Sequence, residues 1–270
     1  MINLNSKTKE TKPRSLTIDA DVFLFDLDGT IYLGDVLIKG VLDMLKALNY
    51  LGKKVFFLTN NSSKTIDEYL VKLKKIGYTA TSEQIVTSTS AAIMYLKTSH
   101  PGKTVFPLGT VPFTNELEKN GIKLSENADI VLLAFDTDIN YNKLWRANVL
   151  LDSGALFVIT HPDLTCPSDI GNMPDVGSLA ALLSSSSGRK PDIICGKPYS
   201  LMADIINNQI HVNKDRVLMV GDRLYTDILF GINNGYRTLL VLTGDTTEIM
   251  LQSSDIKPSY VYKTAAEIIN

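Results

Sequence analysis

The sequence predicts an α/β fold built on a mainly parallel sheet, on two observations. Short apolar runs recur that are dense in Val, Ile, Leu and Phe rather than alternating with polar residues, as strands buried on both faces require. Between them lie amphipathic segments of helical period, and strands alternating with helices imply parallel pairing.

The runs are Val22–Phe25, Val55–Leu58, Ile130–Phe135, Leu156–Ile159, Ile193–Cys195, Val217–Val220 and Thr238–Leu242. After the first, Val41, Leu45, Leu48 and Leu51 repeat at helical spacing and stop at Gly52, a C-capping residue. After the second, Thr65-Ile66-Asp67-Glu68 reads as a capping box, opening a helix that turns Ile66, Leu70 and Leu73 inward and ends at Gly77. The basic run Lys72-Leu73-Lys74-Lys75 reads as the solvated face and last turn of that helix. Ser184 to Ser187 followed by Gly188 reads as a loop or a crossing between domains.

A chain of 270 residues exceeds the usual single domain, so one large or two moderate domains are expected. The net charge of −2, with both signs scattered, lacks the basic stripe of a nucleic-acid binder. No apolar stretch is long enough to span a bilayer. The polar start, Met1 to Arg14, is unlike a secretory signal and reads as a flexible tail, which makes the cytoplasm the expected compartment. Cys166 and Cys195 stand far apart, in no metal-ligand spacing, and read as free thiols in a reducing environment.

Chemistry gathers behind three of the runs. Val22–Phe25 leads into Asp26-Leu27-Asp28-Gly29-Thr30, Val55–Leu58 into Thr59-Asn60-Asn61-Ser62, and Val217–Val220 into Gly221-Asp222-Arg223-Leu224-Tyr225-Thr226-Asp227. Ligands of open parallel sheets bind beyond the carboxyl ends of strands, so the three clusters converge on one crevice. Two carboxylates two residues apart repel one another unless a cation or a shared proton compensates. A hard dication such as Mg²⁺, which takes carboxylates, water and phosphate oxygens, suits Asp26 and Asp222. Gly29 permits a sharp turn, although Asp-Gly is also an ordinary turn pair. Thr59 and the backbone at Asn60 offer donors for phosphate oxygens, although Ser, Thr and Asn also open helices. Gly196-Lys197-Pro198 sets a lysine after the Ile193–Cys195 run, where the proline favours an extended Lys197 aimed at the crevice.

In order, Asp26-Leu27-Asp28-Gly29-Thr30, Thr59, Lys197-Pro198 and Gly221-Asp222 through Asp227 resemble the four motifs of the haloacid dehalogenase superfamily. Thr59 to Ser63, Thr160-His161-Pro162-Asp163 and the Gly171–Gly177 segment resemble its NagD-like and 4-nitrophenylphosphatase-like branch, over about residues 17 to 250. The resemblance implies a Rossmann-like, doubly wound parallel-sheet core with an inserted C2-type α/β cap. The divisions expected are a tail at 1–15, a core at 16–80 and 189–270, and a cap at 81–188.

It further implies a Mg²⁺-dependent phosphatase acting on a small phosphorylated metabolite, such as a sugar phosphate or nucleoside monophosphate. Asp26 would be the nucleophile that becomes phosphorylated, and Asp28 the general acid and base. Thr59, Lys197 and Asn60 would hold the phosphoryl group. Asp26, the Asp28 carbonyl and Asp222 would bind Mg²⁺, with Asp227 supporting them. His161 and Asp163 on the cap loop and Asn61 at the core edge are the substrate-binding candidates. His161 stands where relatives often carry asparagine, and Asp175-Val176-Gly177 departs from the usual approach to Gly177; both leave the substrate open. The same core residues would serve a phosphotransferase, and homodimerisation through the cap stays open. A non-catalytic binding protein on this fold is disfavoured by the presence of Asp26, Asp28 and Asp222, and a metal-free dehalogenase by the metal set.

Overall fold

The structure, a computed structural model, describes residues 15–168 and 170–270. The tail expected before Arg14 lies outside these. Six strands form the larger sheet, in the order Tyr260–Tyr262, Arg237–Val241, Val217–Gly221, Val22–Asp26, Lys54–Thr59, Ile85–Thr87, every neighbouring pair parallel. From Val22–Asp26 the chain builds outward on one side. It returns at Val217–Gly221 to build outward on the other, which leaves the reversal of strand order between these two strands.

The central strand shows why its sequence does not alternate. Val22 and Leu24 pack into one apolar cluster with the helices Ser88–Ser99 and Leu201–Asn207, while Phe23 and Phe25 pack into another with Val41–Tyr50. All four are fully buried. Each such side chain contributes about 1.5–3 kcal/mol of burial, so both faces of the sheet must stay covered.

The helices end where local chemistry ends them. In Val41–Tyr50, Val41, Met44, Leu45 and Leu48 are buried. Gly52 then takes φ +68°, a region that disfavours other residues, and its N–H reaches Asn49 O at 3.0 Å. Helix Ile66–Lys75 opens on a complete capping box: Glu68 N–H donates to Thr65 Oγ1, and Thr65 N–H to Glu68 Oε2. Leu73 and Tyr69 are buried, with Ile66 and Leu70 half-covered beside them. Lys72 departs from the solvated-face expectation. Its side chain, 18% exposed, lies across the Tyr32 ring with Nζ 3.6 Å from the ring centre.

A second parallel sheet runs Ile193–Ile194, Leu156–Ile159, Ile130–Leu133, Thr104–Leu108, Lys123–Leu124. Sheet membership shifts the expected divisions. Ile85–Thr87 pairs with the larger sheet and Ile193–Ile194 with the smaller. We propose residues 100–195 as the cap on that ground. The serine tract is not a loop. Ser184 to Ser187 complete the helix Val176–Ser187, and Gly188 caps it. Ser186 and Ser187 hydroxyls donate back to Leu183 O at 3.1 and 2.8 Å, so the run satisfies itself inside the last turn.

Candidate active site

Asp26 and Thr59 are the last residues of neighbouring strands, and Asp222 follows the last residue of the strand on the other side of Asp26. The acids therefore flank the reversal point of the larger sheet. From the smaller sheet, Thr160 to Asp163 follow Leu156–Ile159, and Lys197 follows Ile193–Ile194. The carboxyl ends of both sheets thus supply one pocket, bordered by Asp26, Asp28, Thr59, Asp163, Lys197 and Arg223. A roomier cavity of about 410 Å³ beside His100, Lys103 and Asp129 opens at the amino-terminal end of the smaller sheet, away from this cluster.

Lys197 is 1% exposed and follows a chain path with a cis Lys197–Pro198 peptide. Its Nζ donates to Asp26 Oδ1 at 2.6 Å, Asp227 Oδ1 at 2.7 Å and Leu58 O at 3.3 Å. Burial works against its charge, but Asp227 and Asp26 outweigh burial and hold the ammonium above its ordinary range. Asp26, Asp222 and Asp227 bring ligand oxygens within 4.8 Å of one another. One ammonium against three carboxylates leaves surplus negative charge. Burial, with Asp227 and Asp222 adding, pushes the Asp26 carboxyl well up while Lys197 opposes. Asp222 is pushed up to about 7, by burial first and then by Asp227.

The three acids are not equivalent. Both Asp227 oxygens are engaged, Oδ1 by Lys197 and Oδ2 by the Arg223 N–H at 3.1 Å. Asp222 Oδ2 accepts the Asp245 N–H at 2.7 Å, whereas its Oδ1 is buried without a partner among the described residues. Asp26 Oδ2 carries no hydrogen bond among the described residues, and the side chain keeps 13% exposure toward the pocket. Gly29 makes the close approach possible. At φ +93°, a Cβ there would stand 2.5 Å from Asp222 Oδ2.

The polar residues between the sheets are mostly tied. Asn60 Nδ2 donates to Asp163 Oδ2 and to Lys197 O, each at 3.0 Å, and Asn60 Oδ1 accepts the Lys197 N–H at 2.8 Å. Ser62 Oγ meets Thr160 Oγ1 at 3.0 Å. Thr59 Oγ1 accepts the Asn61 N–H, and Asn61 Oδ1 is turned back onto Ser63. His161 borders the pocket but is 1% exposed and held on both ring nitrogens, by Thr160 Oγ1 at 3.1 Å and Asp175 Oδ1 at 3.0 Å. Its imidazole braces the cap loop, with no nitrogen left for a ligand. The Asp163 carboxylate keeps one oxygen, Oδ1, buried and unpartnered among the described residues.

Asp28 stands at the pocket mouth with its side chain 57% exposed and Lys72 Nζ 4.0 Å away. Its carboxyl is nonetheless raised by the bulk of protein around it, against the pull of Lys72, Lys64 and Arg223. Arg223 lies inside the Gly221–Asp227 motif, and nothing in that stretch marks it apart from its neighbours. Its position beside Asp222 was the available signal; its place on the pocket wall needed the fold. Both thiols are free, with Cys195 buried and pushed up to about 12 and Cys166 up to about 11 by burial.

Comparison with known proteins shows the family. Residues 23–123 match the family described as haloacid dehalogenase-like hydrolase, and 194–268 match one described as HAD-hydrolase-like. An acid sugar phosphatase of Staphylococcus haemolyticus is 37% identical over 89% of this chain and 92% of its own length. A 4-nitrophenylphosphatase structure from Thermotoga maritima superposes with a TM-score of 0.89 at 40% identity, covering 93% of this chain and 96% of that one. A glycerol phosphate phosphatase from Mycobacterium tuberculosis, solved in complex with magnesium, gives 0.85 at 29% identity over 93% and 77% of the two chains. No helix among the described residues is long and apolar enough to cross a membrane.

Proposed function

This chain belongs to the haloacid dehalogenase-like hydrolase family, as a phosphatase of its NagD-like branch, and from that premise we propose that it is a Mg²⁺-dependent phosphomonoester hydrolase working through an aspartyl-phosphate. The observation that carries this reading is the buried Asp222 Oδ1, unpartnered among the described residues, on an acid clustered with two others that share one lysine. Buried carboxylates without partners are costly, and a hard, oxygen-seeking cation removes that cost. The donor set therefore fits Mg²⁺, which would be held by Asp26, the Asp28 backbone carbonyl and Asp222. Asp227, with both oxygens engaged, would support them without binding directly. When bound, the ion would supply positive charge to the phosphoryl oxygens.

The chain's own residues account for the remaining work. Asp26 Oδ2, open to the pocket, attacks phosphorus and forms the acyl phosphate as the alcohol leaves. Asp28, whose raised carboxyl suits it to carry a proton, gives that proton to the leaving oxygen. It then takes one from the water that cleaves the intermediate. Thr59, the Asn60 N–H and Lys197 hold the transferring group, since phosphoryl transfer asks mainly for positioning and charge neutralisation.

Phosphate release from a panel of small phosphomonoesters, with Mg²⁺ and with chelator, tests the reading. Release only with Mg²⁺ is expected, and folded protein inert toward every compound would sink it. An added sugar or nucleoside acceptor that captures the phosphate would reveal transfer in place of hydrolysis. Asp222→Ala is expected to raise the Mg²⁺ requirement steeply or end turnover; an unchanged magnesium titration would remove Asp222 from the metal set.

Stability reports on the same group. An unfolded aspartate titrates near ~3.9, whereas folded Asp222 is raised to about 7. Its contribution is fully present below the unfolded value and is lost as pH rises through about 7. Metal-free protein is thus expected to melt higher at about pH 5.5 than at about pH 8, and Mg²⁺ to stabilise it more at the higher pH, where no proton competes. The surface pairs of Asp19 and Asp21 with Arg216 lower those carboxyls and act at more acid pH. Identical Mg²⁺ stabilisation at both values would contradict the assignment.

A further inference from the structure

We propose that Lys72 is a positioning residue for Asp28, its ammonium seated on the Tyr32 ring so that the general acid and base is held toward the leaving group. The proposal rests on the phosphomonoester reading and adds to it a residue outside the four motifs.

Asp28 has two proton transfers to make and little to hold it. Its carboxyl gives a proton to the departing oxygen as the P–O bond breaks. It then takes one from water as that water's oxygen attacks the aspartyl-phosphate. Such a group acts only within hydrogen-bond reach of the atom it serves, so its orientation enters the rate directly. Yet the Asp28 side chain is 57% exposed and makes no hydrogen bond among the described residues. Lys72 is the one cation within 4.0 Å of it among those residues, and it pulls on Asp28 harder than Lys64, Arg223 or Lys197.

Lys72 is itself fixed. A surface lysine gives up side-chain freedom to pair, which cancels much of the gain. Here the side chain is 18% exposed, and the ammonium lies 3.6 Å from the centre of the fully buried Tyr32 ring. Ring and acid belong to one turn: Asp28 bridges to Tyr32, and the Gly29 N–H donates to Tyr32 O at 2.8 Å. The lysine arrives from another element, helix Ile66–Lys75, anchored by its capping box and by buried Tyr69 and Leu73. Two rigid parts therefore set its distance from Asp28. Asp35 Oδ1 stands 3.9 Å from the same ammonium, but that side chain is almost wholly exposed and water screens it. At 4.0 Å the Asp28 contact is longer than a hydrogen bond. It constrains the carboxylate by charge and leaves both oxygens free to give and take a proton.

The leaving group supplies the test. 4-Nitrophenolate departs as a stable anion and needs no proton, whereas the alkoxide of an alkyl phosphate needs one. kcat/KM reports the steps through formation of the aspartyl-phosphate, and hydrolysis of that intermediate is common to every substrate. The alkyl probe is glycerol phosphate, or whichever alkyl phosphate wild type turns over fastest. Lys72→Met is expected to lower kcat/KM on it by about tenfold or more, and on 4-nitrophenyl phosphate by about twofold at most. Turnover of 4-nitrophenyl phosphate is expected to fall too, after a burst of nitrophenolate, because water activation also depends on Asp28. Lys72→Arg keeps a cation able to lie on the ring and is expected to recover much of the loss. A misfolded fraction would lower both substrates alike, so the ratio of the two reads position and not folding. Equal losses of kcat/KM on both would overturn the proposal and place Lys72 on the phosphoryl group or in the fold. An unchanged kcat/KM on the alkyl phosphate would overturn it as well. Failure of the underlying reading looks different: wild type itself would release phosphate from no alkyl or aryl ester.

Discussion

Asp26→Asn is expected to abolish turnover, with a loss on the order of 10⁴-fold or more, while the fold persists. The amide keeps the shape of the carboxylate and an oxygen for the Lys197 ammonium, now 2.6 Å from Oδ1. What disappears is the nucleophile. One negative charge also leaves a cluster in which Asp26, Asp222 and Asp227 crowd a single lysine. The metal-free variant is therefore expected to melt no lower than wild type, and Mg²⁺ to stabilise it less. Steady-state phosphate release and thermal melts with and without Mg²⁺ check both halves. Substantial residual phosphatase activity would refute the nucleophile assignment.

Lys197→Met has the largest expected effect on stability. Methionine matches much of the side chain's length but removes an ammonium that neutralises Asp26 and Asp227 in a site buried from water. Breaking a buried ion pair by deleting one partner costs about 3–5 kcal/mol, because the other charge stays behind unpaired. For a chain of this size that corresponds to a fall in Tm on the order of 10 °C. The sign of the pH dependence separates charge from packing. Asp26 is already raised by burial, and without Lys197 it rises further, so protonation relieves the variant at low pH. The Tm deficit is expected to be wider at about pH 8 than at about pH 5.5, and turnover to be lost throughout. A deficit that is the same at both values would assign the lysine to packing alone.

Much of this site is legible in the sequence. Asp26, Thr59 and Asp222 stand at strand ends because the apolar runs before them are unmistakable strands, and parallel sheets present those ends together. The helix starting at Ile66 was legible because a capping box is a matter of four consecutive residues. Other elements were hidden for identifiable reasons. Thr104–Leu108 carries Pro107, which ordinarily argues against an interior strand. The strand tolerates it because Lys123–Leu124 pairs only with Thr104 and Val105, which leaves Pro107 with a single partner, Leu132. The serine tract reads as a linker by composition, yet its hydroxyls close a helix. The resemblance makes His161 a substrate-binding candidate, and only the fold shows Asp175, fourteen residues on, beside its Nε2.

The sequence by itself determined the parallel α/β class, the strand ends on which the acids stand and the motif order that marks the family. These are local properties, set by side-chain period, by turns and by neighbours along the chain. Only the tertiary structure decided which polar groups meet. Lys197 reaches Asp26 across 171 residues, and Asn60 reaches Asp163 across 103. Sheet order, and the seating of the smaller sheet's loops over the larger, make those pairings. The same packing leaves Asp222 Oδ1 and Asp163 Oδ1 without partners among the described residues, because a buried oxygen is satisfied or orphaned by what the fold brings beside it, which no stretch of sequence records.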